Sequence, residues 1–292
     1  MPRVLVNGPS SWNTLIRIAA LPEPRSSALF ASSHHDGLGG TSAGKAVTLA
    51  ALGVDVTLRT AIGDDREGRL VRAALDHPRV TTVVLDVAAT ERHVNLMTDD
   101  GSRVSIYLEL PDPAATSVPS FDDVDAAVLD LADHSRPLLA AARAAGVPVW
   151  CDVHDDDGVG DYPRAFAAAA DVLLVSAERL ADPRAYLSDA VARGCRLAVC
   201  TDGGDGALAL DADGWIEVPA APVDDVVDTN GAGDAFLAGL LSGTLDGLPV
   251  EGALARASAA GALAVTTPDL GAPTATTSTL DRIAARVTIR RV

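Results

Sequence analysis

Asp228-Thr229-Asn230-Gly231-Ala232-Gly233-Asp234 runs directly into the apolar stretch Ala235-Phe236-Leu237-Ala238-Gly239-Leu240-Leu241, so a turn of small residues meets a helix with a carboxylate at the junction. The first amides of a helix lack intrahelical acceptors and sit at the positive end of its dipole, and a Gly-Ala-Gly turn lets them approach an anion. Asp234 follows at once and can take a proton from a hydroxyl held beside that anion. Phosphoryl transfer asks for these two things, a positioned hydroxyl and stabilised phosphate charge. A plainer reading competes: a glycine-rich turn starting a helix, with Asp234 as a first-turn acid favoured by about 0.3–1 kcal/mol.

Gly39-Gly40-Thr41-Ser42-Ala43-Gly44-Lys45-Ala46 has the outline of a phosphate-cradling P-loop. Ala46 lacks the hydroxyl that would bind Mg²⁺, and residues 32–37 are polar where a P-loop needs a buried strand. Thr201-Asp202-Gly203-Gly204-Asp205-Gly206 closes the apolar run 197–200. Small residues there allow close backbone approach to a ligand at the carboxyl edge of a sheet, or simply a hairpin turn into 207–210. Asp152, His154, Asp155, Asp156 and Asp157 also follow a strand and read first as a solvated acidic loop, second as a holder of metal waters. Asp64 and Asp65 read first as helix-starting acids.

At every position, 228–241 resembles the second signature of the PfkB carbohydrate kinases, the ribokinase-like family, and 39–53 fits that family's first signature in frame. The resemblance covers essentially the whole chain. It implies Asp234 as catalytic base and the amides of Gly231, Ala232 and Gly233 as an anion hole. Thr201, Gly203 and Gly206 take the place of the ATP-phosphate loop, Asp228 and Thr229 lie on the nucleotide side, and Ser258 stands at the adenine pocket where many members have asparagine. Gly39 and Gly40 approach the acceptor, and Lys45 sits on the same acceptor-side helix.

Two departures from the family pattern bear on substrate. Asn13 and Gly44 stand where typical members hold sugar hydroxyls with an aspartate and an asparagine. A carboxylate only accepts hydrogen bonds whereas a carboxamide donates and accepts, so a different hydroxyl pattern is expected, with space at Gly44 for the acceptor to fill. The resemblance also implies ATP and Mg²⁺, the metal bridging the β- and γ-phosphates, and leaves a monovalent-cation requirement open. The family's N-x-x-E metal motif falls at Ser176-Ala177-Glu178-Arg179 and matches at neither end, leaving Glu178 as substitute metal ligand. The expected activity is ATP-dependent phosphorylation of a hydroxyl on a sugar or sugar-like molecule. The alternatives are a nucleoside kinase on the same fold and a sugar- or nucleotide-binding relative without turnover.

The elements that must position these residues show in the hydropathy pattern. Short apolar runs at 4–6, 55–61, 126–131, 147–151, 172–175 and 196–200 alternate with helical patterns at 42–52, 66–76, 135–145, 162–170, 183–193, 232–242 and 250–266. This predicts one α/β domain over 1–292, a mostly parallel sheet sandwiched by helices. Residues 90–110 alternate like a hairpin about Asp99-Asp100-Gly101, with His93, Asn95 and Met97 on one face and Val104, Ile106 and Leu108 on another. Together with 13–33 they correspond to the family's small β-sheet lid, which keeps water from the transferred group. The family also suggests a homodimer through the lid.

The 292 residues carry a formal charge of −17 and a single lysine, and 48% are hydrophobic. Such a chain has no basic footprint for nucleic acid or anionic membranes. Three cysteines in neither a metal nor an even disulfide pattern, together with the absence of a long apolar segment, predict a cytoplasmic protein with buried thiols.

Overall fold

Val4 and Val6 of the first strand, Arg3–Asn7 (β1), pack into one buried cluster while Leu5 between them packs into a second. Successive side chains of a strand point to opposite faces, so such a strand is covered on both sides. The computed structural model describes residues 1–98, 102–113 and 117–292; the expected turn at Asp99-Asp100-Gly101 lies outside them. The further strands are β2 Ser11–Arg17, β3 Ser33–Gly39, β4 Asp55–Gly63, β5 Val80–Val87, β6 Arg92–Met97, β7 Arg103–Glu109 and β8 Ala126–Leu129. They continue with β9 Val149–Asp152, β10 Val172–Ser176, β11 Leu197–Thr201, β12 Ala207–Asp211, β13 Gly214–Val218 and β14 Arg290–Arg291. The helices are α1 Thr41–Ala51, α2 Arg66–Ala74, α3 Arg136–Ala144, α4 Asp161–Ala169, α5 Pro183–Ala192, α6 Ala232–Leu245, α7 Val250–Ala264 and α8 Thr277–Ala284.

Ten strands form the main sheet in the order β14-β13-β12-β11-β10-β9-β8-β1-β4-β5. Pairing is parallel from β11 to β5 and antiparallel from β11 to β14. Leu49 of α1, Leu240 of α6 and Leu254 of α7 close one face, and Leu138 of α3, Phe166 of α4 and Leu187 of α5 close the other. The expected α/β sandwich is therefore the observed one. Edge strand β5 and the antiparallel strands β12 to β14 escape the pattern: β5 alternates half-buried with exposed residues along most of its length and lacks the continuous apolar run of an interior parallel strand.

A second, four-stranded sheet has the order β3-β2-β6-β7. Its first contribution comes from β2 and β3, so the strands lie at Ser11–Arg17 and Ser33–Gly39 and not continuously across 13–33; residues 18–32 carry no regular strand. The polar segment that disqualified a P-loop is thus β3. At the foot of β6, Asp65 caps α2 by accepting from the Gly68 amide at 2.7 Å and also accepts from the amide and hydroxyl of Thr90, each at 2.7 Å. One side chain thereby ties a core helix to the small sheet. Among the described residues no helix is long and apolar enough to cross a membrane.

Candidate active site

Gly231 precedes α6 with φ +77°, a left-handed conformation that suits glycine, and it turns the chain so that Asp234 falls in the helix's first turn. Asp234 is 6% exposed and lines a cavity of about 640 Å³ between the two sheets. Asn13, Gly40, Thr41, His93 and Asn95 line the same cavity. Strand alternation explains the lid's share: Arg103, Ser105 and Tyr107 face inward, while Val104, Ile106 and Leu108 face out.

Beneath Asp234 lies a group with no counterpart among the sequence expectations. Lys45 is fully buried, its Nζ 2.8 Å from Asp234 Oδ1, 2.9 Å from Asp130 Oδ1 and 3.2 Å from Asp152 Oδ2. Burial alone would strip its proton, but the carboxylates of Asp130, Asp234 and Asp152 outweigh burial and hold its pKa well above the ordinary range. Burial pushes Asp234 up to about 6, with Lys45 opposing and Asp152 reinforcing the rise. Asp152 is itself driven far down, because His154 and Lys45 overcome its desolvation. The Ser42 hydroxyl donates to Asp130 at 2.5 Å. The one signal in the sequence is compositional: in a chain whose other basic side chains are arginines, the lone lysine stands among the alanines of an apolar helix.

Gly44 does not line the cavity. A Cβ there would lie 2.8 Å from Asp234 Oδ2, so the missing side chain makes room for the carboxylate and leaves no space for an acceptor. Gly39 likewise backs onto Asn13, whose Oδ1 accepts from the His93 amide at 3.2 Å. Gly40, with φ +89°, brings the chain against the Pro9 carbonyl and opens α1.

On the nucleotide side the structure separates the expected residues. Thr201, Gly203 and Gly206 stand at the carboxyl end of β11, where a single 3₁₀ turn leads into the β11–β12 hairpin, so ligand loop and hairpin are one segment. The Thr201 hydroxyl donates to the Val175 carbonyl at 3.4 Å. Asp228 is buried and turned inward: Oδ1 accepts from the Asn230 amide at 2.8 Å and Oδ2 lies 3.7 Å from Arg17. It shapes the turn and is tied to β2 through Arg17. Thr229 is exposed, and its carbonyl accepts from the Ala232 amide at 3.3 Å, so of the three expected anion-hole amides Ala232 is already engaged. The Ser258 hydroxyl accepts from the Ala221 amide and donates to the Pro219 carbonyl, both at 2.8 Å. Those bonds fasten α7 to the chain after β13 and engage the Ser258 hydroxyl internally.

Glu178 is exposed on a single 3₁₀ turn away from the cavity, and among the described residues no three His, Cys, Asp or Glu side chains are grouped to hold a metal. The acidic stretch is taken up internally: Asp156 by the Tyr186 hydroxyl at 2.8 Å, Asp157 by Arg179 at 3.1 Å and Asp152 by His154 at 3.5 Å.

The model of the pfkB family carbohydrate kinases matches residues 12–277. The chain belongs to that family. It is 33% identical over 282 residues to the acarbose 7(IV)-phosphotransferase of an Actinoplanes species, covering 91% of this chain and 92% of the relative. It is 36% identical over 279 residues to the ATP-dependent ribose-1-phosphate kinase of Halopiger xanaduensis, covering 90% and 92%. The solved structure of a microbiome-derived acarbose kinase superimposes with a TM-score of 0.82 at 31% identity, over 98% of this chain and 99% of that one. This pfkB kinase is therefore a phosphotransferase that uses ATP and takes a hydroxyl group of a sugar-like small molecule as acceptor.

Proposed function

We propose that Asp234 takes the proton of the acceptor hydroxyl as that oxygen attacks the γ-phosphorus of ATP, and that Lys45 holds the base in place. The observation that carries this reading is the position of Asp234: first turn of a helix, lining the cavity, nearly buried, and fixed through one carboxylate oxygen. With Oδ1 bound to Lys45, Oδ2 serves the hydroxyl. The amides of Gly231 and Gly233 meet the charge on the transferred group, aided by the dipole of α6. Gly203 and Gly206 give the nucleotide phosphates a close approach at the end of β11. Asn13 and Gly40 position the acceptor, and the lid sheet keeps water out.

Mg²⁺ supplies charge neutralisation to the nucleotide phosphates when bound. The donors present fit an ion held mainly by phosphates and water and not one caged by protein side chains, since Glu178 does not line the cavity and the acidic loop is internally paired. The exposed outward face of the lid, with Ile106 and Leu108, supports pairing with a second copy. Sedimentation velocity tests that pairing. The kinase assignment is tested by ATP consumption across a panel of sugars and nucleosides, which should single out sugar-like acceptors and fall by ~10²–10⁴ for Asp234→Asn. Equal turnover by that variant would remove the base.

A further inference from the structure

The cavity is too large for one sugar ring. It holds about 640 Å³. A hexose of about twelve heavy atoms fills roughly 200 Å³, if each takes a little over half of the ~30 Å³ share of a liquid water. Even with a terminal phosphate at Asp234, most of the space remains. That space is bounded by Leu110 and Asp112 after β7, Asp133 and His134 after β8, and Tyr162 at the start of α4. Phosphoryl transfer calls for none of these five residues.

Three polar atoms of cavity-lining residues are buried without a hydrogen-bond partner: Thr41 Oγ1, Asn95 Oδ1 and His134 Nε2. Asn95 is only 4% exposed. Buried polar atoms in folded proteins are nearly always paired, and leaving one unpaired costs about 1–3 kcal/mol. These atoms have almost no accessible surface, so a ligand in the cavity would reach them only after their side chains turn. A sugar hydroxyl both donates and accepts, and would suit the polar groups that do line the cavity, among them Asp112, Asp133 and Tyr162. Burial and the nearby Arg59 bring the His134 pKa down to about 4, so its imidazole is neutral at pH 7 and offers one nitrogen as acceptor. Tyr162 adds a flat face beside it, steadied by Arg136 with its guanidinium 5.5 Å from the ring centroid.

The charge of the lining narrows the ligand further. Glu91, Asp112, Asp133, Asp155 and Asp234 face the cavity against one guanidinium, Arg103, and the imidazoles of His93, His134 and His154. Glu91 is matched by His93 at 2.8 Å and Asp155 by Arg179 at 3.5 Å, while at the far end Asp133 is met by Arg136 at 3.9 Å and by the Tyr162 hydroxyl. A phosphate placed there would meet Asp112 and Asp133 on the cavity wall, with Arg59 and Arg136 lying behind the lining.

We propose that the acceptor is a glycoside of two or more rings carrying no phosphate. One ring presents its hydroxyl to Asp234 and a second rests against Tyr162, Asp133 and His134. The direction of the chain in the cavity rests on the kinase reading; the second-ring subsite does not.

The test is calorimetric titration of the whole protein with glucose, glucosamine, maltotriose, a glucosamine trimer and glucose 6-phosphate, alongside kcat/KM for each with ATP. At least one trimer should bind about tenfold tighter than its monomer, and glucose 6-phosphate should bind more weakly than glucose. Tyr162→Ala and the exposed Asp133→Asn, whose side chains are hydrogen-bonded to each other, should each reduce the trimer-to-monomer ratio at least about threefold. Trimers no tighter than monomers, a preference for the sugar phosphate, or a ratio untouched by both variants would overturn the subsite. A trimer that binds tightly yet is never phosphorylated breaks the kinase reading and keeps the subsite. Good turnover of monomers with no gain on trimers does the reverse.

Discussion

Lys45 Nζ lies 2.8 Å from Asp234 Oδ1, joining two residues 189 positions apart in the sequence. The ammonium is wholly buried, and Asp130 and Asp152 share it. A base in this setting is fixed in direction and kept ionisable inside a site whose burial opposes its charge. The proposed chemistry therefore depends on a residue outside the catalytic motif.

Lys45→Met should lower kcat at pH 7 by ~10–10³, because the removed cation leaves three carboxylates that disfavour one another's charge. The acid limb of the pH–rate profile should move upward from about 6. Lys45→Met/Asp130→Asn removes one charge of each sign and serves as a folding control. A Lys45→Met profile superimposable on that of the wild type would take Lys45 out of the mechanism.

In the unmodified enzyme, kcat/KM should rise with pH through about 6 and then level, because Asp234 must be ionised to accept a proton. The same shift acts on stability. The folded protein holds this proton more tightly than the unfolded chain, whose carboxyl sits near 3.8, so ionising Asp234 lowers stability as pH rises between those values. Asp234→Asn should accordingly melt no lower than wild type at pH 8. Loss of Tm in that variant, or a rate limb well below pH 5, would contradict the assigned burial effect.

Gly44→Ala places a Cβ 2.8 Å from Asp234 Oδ2 and must displace the carboxylate. Turnover should fall at least about tenfold while ATP affinity stays within a few-fold, since the change touches the base and not the phosphate loop. Unchanged kcat would mean the carboxylate has freedom that the packing denies it.

Ser258→Ala removes two 2.8 Å hydrogen bonds and should cost about 1–3 kcal/mol of stability by urea unfolding, with KM for ATP nearly unchanged. A large rise in KM at intact stability would place Ser258 in the nucleotide pocket.

What the sequence made legible is local. The turn and helix about Asp234 lie within one contiguous segment, and interior strands announce themselves by unbroken apolar runs, so the fold, the helices α1 to α7 and the proposed base could be read before the structure, whereas α8 could not. Lys45 could not, because its role is written in Asp130, Asp152 and Asp234, which only the sheet topology brings together. Asp228 and Ser258 carry internal bonds that no local pattern announces: Asp228 accepts from the Asn230 amide and faces Arg17, and Ser258 bonds the chain after β13. Gly44 was read as a space for substrate when the vacancy is filled by the base itself.

The central claim is that Asp234 is the proton acceptor for phosphoryl transfer. Single-turnover phosphorylation by Asp234→Asn, with ATP binding measured in parallel, tests it most directly. Asparagine preserves size and a hydrogen bond but cannot take the proton, so the rate should fall by ~10²–10⁴ with ATP affinity within a few-fold of wild type. A rate within about threefold of wild type, at equal ATP occupancy, would contradict the assignment.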